Sequence, residues 1–242
     1  MRLTPARRTP VSARPATVGS LRFRAGTARL RIARELRHPV RLRRPLFTPA
    51  RELRHALAEY SALRDGRQVA FDGWASHQPV LIELLSRIST PRCLELGIGF
   101  GSTPIVVGLS GSSVSLETSE SWYRRFARFD EERHRILLTH AYDAQSWNVP
   151  YFSESWDVAL IDNSPGRTRQ GNLLKLRDRA RFIVCHDTQE CFKPSASAYG
   201  WDFSAFDHVW TYDRFPTFTT VVSATEPIPL DDLGGRAGIP SR

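Results

Sequence analysis

The stretch that decides the fold spans residues 92–103 and reads Arg-Cys-Leu-Glu-Leu-Gly-Ile-Gly-Phe-Gly-Ser-Thr. A short apolar run carries an acid, Glu95, near its end; three glycines then alternate with bulkier residues, and a helix-compatible segment follows. Because glycine has no side chain, Gly97, Gly99 and Gly101 let the backbone turn sharply and let a ligand approach it closely. The stretch therefore predicts a strand, a tight turn and a helix, with a nucleotide-like ligand at the turn.

The spacing of the glycines distinguishes two kinds of nucleotide site. The fingerprint of NAD-binding domains places its third glycine where Ser102 stands, so it does not fit. The order acid-x-Gly-x-Gly-x-Gly, from Glu95 to Gly101, instead resembles motif I of the Rossmann-like (class I) methyltransferases that use S-adenosylmethionine (SAM). The resemblance implies a SAM site at this turn, and possible membership of the metal-dependent branch that methylates small-molecule hydroxyls.

Strand-like and helix-like segments alternate after this stretch. Predicted strands cover residues 93–96, 113–117, 136–141, 156–161 and 181–185, and predicted helices cover 103–109, 120–132 and 170–179. Such alternation indicates a parallel α/β sheet with helices on both faces. Two later runs, 207–212 and 218–224, are too close for a crossover helix and predict an antiparallel hairpin. The resemblance implies a doubly wound, seven-stranded sheet of order 3-2-1-4-5-7-6 with strand 7 antiparallel.

Charge and composition divide the chain into three parts. Residues 1–50 hold 13 Arg, no Lys and one acid, which gives +12, whereas the remainder carries −3. We expect an Arg-rich, disordered extension over residues 1–46, the SAM-dependent methyltransferase domain over 47–225 and a flexible tail over 226–242. The extension is open to several interpretations: a segment that binds RNA or anionic lipid, a targeting segment, or a dispensable terminus.

Two features bear on the compartment. No apolar run approaches the ~20 residues that cross a bilayer, so we expect no stable membrane insertion. The three cysteines, Cys93, Cys185 and Cys191, lack the paired spacing of a metal site. Such sparse cysteines predict reduced thiols and a cytoplasmic location.

Acids at the predicted strand ends complete the cofactor site that the resemblance implies. Glu95 would anchor the glycine turn or face the ammonium group of SAM. Glu117 ends strand 2, 22 residues after Glu95, close to the ~20-residue interval at which an acid reaches a ribose in dinucleotide folds. Asp143, just past strand 3, matches the family position near the adenine amino group. The predicted cofactor-binding residues are these three acids with Gly97, Gly99 and Gly101.

The predicted catalytic residues follow strands 4 and 5. Asp162 and the pair His186–Asp187 lie where doubly wound folds place their ligands, and together they would hold Mg²⁺ next to a substrate hydroxyl. In that interpretation Asp162 and Asp187 are the metal ligands, His186 is a ligand or a general base, and Asn163 adds an oxygen. A metal-free base made of the same groups is the open alternative.

Two other features have alternative interpretations. Arg167 and Arg169 would bind an anionic substrate group or would be solvated surface. The aromatic segment 190–206 would form a lid over an acceptor pocket or would pack on the sheet. His77, with Phe71 and Trp74, would form the opposite wall of that pocket.

The function that the sequence predicts is a SAM-dependent methyltransferase that O-methylates a small molecule such as a sugar, a phenolic compound or a polyketide. The Asp/Asn-Pro-Pro-aromatic motif typical of enzymes that methylate adenine is absent after strand 4. Three alternatives stay open: an RNA methyltransferase that uses the basic N-terminal tail, a non-catalytic SAM-binding interaction protein, and an NAD-linked oxidoreductase.

Overall fold

The structure, a computed structural model, describes residues 49–67, 75–189 and 199–238. The Arg-rich extension lies outside these residues, as do Phe71, Trp74, Cys191 and the first part of the predicted aromatic lid. Predictions for those segments stay predictions.

The described residues form five α-helices and eight β-strands. The helices are α1 (Pro49–Arg64), α2 (His77–Ser86), α3 (Thr103–Leu109), α4 (Glu120–Phe126) and α5 (Arg169–Leu176). The strands are β1 (Arg92–Leu96), β2 (Ser112–Glu117), β3 (His134–Leu138), β4 (Trp156–Ile161), β5 (Ala180–His186), β6 (His208–Tyr212), β7 (Thr219–Ser223) and β8 (Arg236–Ala237). Among these helices there is none whose length and hydropathy would suit a membrane span.

All eight strands join one sheet of order β3-β2-β1-β4-β5-β7-β6-β8. The five strands from β3 to β5 run parallel, and β7 is antiparallel to both β5 and β6. This confirms the predicted α/β fold and its strand order, with β8 added at the edge beside β6. The order reverses between β1 and β4, so the chain leaves these neighbouring strands in opposite directions and opens a crevice at their carboxyl ends.

The central strand β4 shows how the sheet builds a core on each face. Val158 and Leu160 pack on the face covered by α1, α2 and α3. Ala159 and Ile161 point to the opposite face, where α5 covers them. Successive side chains alternate between faces, so burial on both sides requires the continuous apolar run that this strand has.

Three predicted elements end earlier than expected, among them α5, which stops at Leu176 rather than at residue 179. Helix α4 stops at Phe126 and continues as one 3₁₀ turn, Ala127–Phe129, after which the Asp130 carboxylate accepts a hydrogen bond from Ile136 N (3.0 Å). Strand β3 ends at Leu138, opposite Glu117, because its ladder partner β2 ends there. The apolar periodicity of the sequence did not predict where these elements end.

The prediction of a flexible tail from residue 226 is wrong for residues 228–237. Leu230 and Leu233 are buried in the core beneath α1 and α2, and β8 pairs with β6. On the outside, Arg64 and Arg87 both bind the Asp232 carboxylate. The segment is rich in Pro and Gly, so its few apolar residues did not predict burial. Their burial depends on packing against the helices and the sheet.

Replacing Leu230 with Ala tests whether the tail belongs to the core. We expect Leu230→Ala to lower the free energy of unfolding by about 2–5 kcal/mol, the usual cost of truncating a buried Leu. Leu174→Ala is the matched control, because Leu174 is 49% exposed and its truncation costs less than ~0.5 kcal/mol. Urea unfolding of both variants measures the difference; equal effects would mean that the tail contributes no core.

Candidate active site

The glycine turn lies at the carboxyl end of β1, and two of its glycines lie tightly against neighbouring parts of the protein. A β-carbon at position 97 would lie 2.6 Å from the backbone oxygen of Asp162, and Gly97 has a φ of +90°. A β-carbon at position 101 would lie 2.9 Å from His77 Nε2, on the first residue of α2. The turn is therefore pressed between the end of β4 and the start of α2.

Glu95 anchors this turn from below. Its side chain is fully buried, and Oε1 accepts a hydrogen bond from Thr103 Oγ1 (3.0 Å), which in turn accepts one from Gly99 N (3.0 Å). Burial raises the pKa of Glu95 to about 7, against the opposing hydrogen bonds from nearby hydroxyls. Of the two roles that the sequence left open, the structure places Glu95 in the anchoring one.

Glu117 lies beside the turn, as the sequence predicts. Its carboxylate accepts backbone N–H groups from Ile98 (3.2 Å), Thr118 (2.8 Å) and Ser119 (2.7 Å). Burial raises the pKa of Glu117, although these N–H groups counteract the shift. A carboxylate accepts about four hydrogen bonds, so roughly one position is left for a hydroxyl donor above the turn.

Asp143 has a local role in the structure. It is exposed, and its Oδ1 accepts hydrogen bonds from Ser146 N (2.6 Å) and Gln145 N (2.8 Å), which lower its pKa. The carboxylate thus closes its own loop after β3. None of its described hydrogen bonds reaches the glycine turn or Glu117, so its predicted role near an adenine stays a prediction.

The predicted catalytic residues lie together, because β4 and β5 are parallel neighbours that pair Ile161 with Cys185. His186 Nδ1 lies 3.2 Å from Asp162 Oδ1 and 3.6 Å from Asp187 Oδ1. Burial lowers the pKa of His186, but the negative charges of Asp187 and Asp162 outweigh burial and raise it. Asp162 shows the converse: burial raises its pKa, but His186 and Arg169 outweigh burial and lower it.

Arg169 holds this cluster together, a role that the sequence analysis missed. The guanidinium is 6% exposed; it donates to Asp162 Oδ1 (2.9 Å), to Asp187 Oδ2 (3.4 Å) and to the backbone oxygens of Asn163 and His186. Its Cζ also lies 4.3 Å from the centre of the Tyr199 ring. Arg169 is therefore neither a free substrate-binding group nor solvated surface, whereas Arg167 is exposed.

Asn163 and Asp187 differ from their predicted metal-binding roles. The Asn163 amide is fully buried; its Oδ1 accepts from Asn172 Nδ2 (3.1 Å) and its Nδ2 donates to Thr168 Oγ1 (2.9 Å). The oxygen and the nitrogen of this amide are thus both engaged in hydrogen bonds within the protein. Asp187 is turned towards Arg169.

His77 joins the cluster instead. Its ring centre lies 4.4 Å from that of His186 in an edge-to-face arrangement. One ligand atom each from His77, Asp162 and His186 lies within 4.8 Å of the other two. The sequence analysis placed His77 only in a pocket wall; no spacing rule connects a residue before β1 with one that ends β5.

The described part of the predicted lid packs on the sheet. Trp201, Phe203 and Phe206 are buried in the core on the α5 face, with the first two rings stacked at 5.8 Å. Of the two interpretations of this segment, packing holds for these three rings.

A glutamine at position 95 tests the buried acid. Because the pKa of Glu95 rises from 4.5 to about 7 on folding, its proton stabilises the folded state fully below about pH 4.5, and this term is lost as pH rises through 7. The loss amounts to about 3 kcal/mol. We expect Glu95→Gln to remove this component of the pH dependence of unfolding, measured by denaturation at pH 4.5–8. The exposed-acid control Glu132→Gln should leave the curve unchanged.

Methionine at position 169 tests the guanidinium clamp. Arg169→Met leaves two partly buried carboxylates without their cation, which we expect to destabilise the protein by about 3 kcal/mol, the low end of the cost of breaking a buried ion pair. Arg167→Met, at an exposed position two residues away, should cost less than ~0.5 kcal/mol. Thermal and urea unfolding compare the two variants; similar stabilities would show that the clamp contributes nothing.

Comparisons with known proteins find likeness in structure alone. No protein-family model matches the chain, and the search of curated proteins finds no match. The chain resembles a ribosomal RNA methylase from Streptococcus thermophilus (17% identity, 59% of this chain and 90% of that one, TM-score 0.41). It also resembles a putative methyltransferase from Escherichia coli (9%, 62% and 86%, TM-score 0.45) and a human methyltransferase 10 domain containing protein (12%, 74% and 98%, TM-score 0.45). At these identities and TM-scores, the function has to be argued from the site.

Proposed function

We propose that this protein is a SAM-dependent methyltransferase whose cofactor lies on the glycine turn, residues 97–101. The observation that carries the proposal is Gly99. A β-carbon there would meet only Ser102 Oγ at 3.6 Å and Gly101 N at 4.0 Å, which are ordinary contacts. The backbone of the protein requires Gly97, and His77 crowds a side chain at position 101, but nothing crowds position 99, so close approach of a ligand is the reason that remains for a glycine there.

Glu117 supports an adenosyl ligand at the same place. Its carboxylate is fixed over the turn through Ile98 N and has capacity for a ribose hydroxyl. The residues present therefore fit the backbone and ribose ends of SAM. The NAD fingerprint requires a third glycine at position 102. This chain has Ser102 there, buried at the start of α3, so the turn does not match that fingerprint.

The acceptor would lie at the cluster that follows β4 and β5. When bound, SAM supplies an electrophilic methyl group, so the chain has to position a nucleophilic oxygen and take up its proton. The side chain of Asp162 is 27% exposed, whereas that of His186 is 5% exposed. Asp162 is thus the group that an acceptor hydroxyl reaches, and His186 lies behind it to share the proton.

A small molecule is the acceptor that the charge distribution favours. Residues 51–242 carry a net charge of −3, which gives no attraction for a polyanion. We infer O-methylation of a hydroxyl-bearing small molecule, such as a sugar, a phenol or a polyketide. The second candidate is an RNA acceptor, which the +12 charge of residues 1–50 would attract.

Cofactor binding is tested by calorimetric titration of SAM, S-adenosylhomocysteine and NAD. We expect SAM and S-adenosylhomocysteine to bind and NAD not to. Gly99→Val should weaken SAM binding at least about 100-fold by filling the space for the ligand, with the melting temperature unchanged. Glu117→Gln should weaken it about 10-fold, the value of a charge-assisted hydrogen bond, whereas Glu120→Gln on the exposed start of α4 should not.

Three outcomes of the binding and transfer assays decide against the proposal. Binding of NAD in place of SAM would favour an oxidoreductase. Unimpaired SAM binding by Gly99→Val would remove the argument from the turn. Retained SAM binding with no transfer to any hydroxyl acceptor or RNA would favour the non-catalytic alternative. Transfer to RNA alone, lost on deletion of residues 1–45, would select the second candidate.

A further inference from the structure

We infer that His77, Asp162 and His186 form a binding site for a divalent first-row transition-metal ion. The three residues come from separate parts of the fold: the start of α2, the residue after β4 and the end of β5. One ligand atom from each lies within 4.8 Å of the other two. Zn²⁺ holds imidazole and carboxylate ligands at ~2.0–2.2 Å, so the three side chains would close in on a bound ion.

The donor set decides the kind of ion. Two imidazole nitrogens and one carboxylate oxygen suit Zn²⁺, Co²⁺, Fe²⁺ or Mn²⁺, whereas Mg²⁺ prefers oxygen donors. The Mg²⁺ site that the sequence predicts needs Asp187 and Asn163, but their side chains bind Arg169 and the buried amide network instead. The inferred site therefore differs from the predicted Mg²⁺ site both in its ligands and in its metal.

His186 has a ring nitrogen to spare for the ion. The residue is 4% exposed, its Nδ1 lies 3.2 Å from Asp162 Oδ1, and neither of its buried ring nitrogens has a hydrogen-bonding partner among the described residues. A buried polar atom without a partner is costly, and a metal ion would satisfy it. The second observation thus points to a ligand at the same place as the first.

Asp187 acts as a positioning residue for His186. Its Oδ2 is held by Arg169, which leaves Oδ1 3.6 Å from His186 Nδ1. A histidine that binds a metal through one nitrogen commonly donates its other N–H to a carboxylate, which fixes the ring and its tautomer. With Asp162 bound to the ion, Asp187 Oδ1 would accept the N–H of His186 while Arg169 holds Asp187 Oδ2.

The net charge of the cluster is negative, so one more cation would compensate it. With both imidazoles neutral, Asp162, Asp187 and Arg169 sum to −1 in a largely buried place. Such a charge needs compensation, either from a bound metal ion or from a proton on an imidazole. The proton is the competing explanation, and the experiment below has to distinguish it from the metal.

The site has one open side, and it borders the glycine turn. His77 lies against Gly101, and Asp162 is the most exposed of the three residues. A metal ion there would keep a position for an acceptor oxygen, as catalytic zinc sites do. This catalytic role rests on the proposed function, whereas metal binding does not, because it uses none of the predicted SAM-binding residues.

The test uses the full-length protein, stripped of metal with a chelator. Calorimetric titrations with Zn²⁺, Mn²⁺ and Mg²⁺ and the visible absorption of bound Co²⁺ report on the site in the absence of SAM. We expect one Zn²⁺ or Co²⁺ per chain, bound at least about 100-fold more tightly than Mg²⁺. His77→Ala and His77→Gln should each weaken Zn²⁺ binding at least about 30-fold, whereas His140→Ala, at an exposed histidine, should not. Circular dichroism and the melting temperature, which do not depend on SAM, show that each variant is folded.

Asp187→Asn tests the positioning role. We expect about 10- to 100-fold weaker Zn²⁺ binding and a shifted Co²⁺ spectrum, because a different His186 orientation changes the coordination geometry. Absence of Zn²⁺ and Co²⁺ binding by the folded protein would overturn the inference, whether or not SAM binds, and leave a proton as the compensating charge. Zn²⁺ binding that both His77 variants retain would overturn it equally, and a preference for Mg²⁺ would return the site to oxygen ligands.

Discussion

The site depends on a backbone contact that leaves no space for a single methyl group. Gly97, at the end of β1, lies so close to Asp162 and Asn163, at the end of β4, that any β-carbon would overlap them. The contact brings the glycine turn directly beside the polar cluster. A cofactor on the turn and an acceptor at the cluster would therefore be neighbours without any further rearrangement. The same contact explains why the residue at position 97 is glycine.

The polar cluster is stable because its charges are paired within it. Arg169 binds both Asp162 and Asp187 and fills the rest of its donors with backbone oxygens. Buried carboxylates are tolerated only with such compensation, since desolvation alone would neutralise them. The guanidinium also fixes which carboxylate oxygens face outward. Its effect reaches the proposed chemistry through Asp162 and, in the proposed metal site, through the support of His186.

The two halves of the site differ in how much freedom their residues have. On the cofactor side, Glu95 and Glu117 are each held by hydrogen bonds to the turn or to the residues after β2. On the proposed acceptor side, Asp162 keeps part of its surface exposed and neither ring nitrogen of His186 has a hydrogen-bonding partner among the described residues. A group-transfer site requires a cofactor held in a fixed position. Beside it, the site requires polar atoms that are still free to bind the acceptor.

The sequence by itself determined the alternation of strands and helices, the antiparallel hairpin, the glycine turn and the acids at strand ends, whereas the strand order came from the resemblance to a known family. These features are local: a strand shows its apolar run, a turn shows its glycines, and parallel strands place their carboxyl ends at one edge. The tertiary structure alone decided the clamp by Arg169, the approach of His77 to His186, the local role of Asp143 and the burial of Leu230. Each of these depends on pairing between residues distant in the chain, which composition and periodicity do not encode. A buried arginine and a surface arginine look alike until the carboxylates that would bind it are located in space.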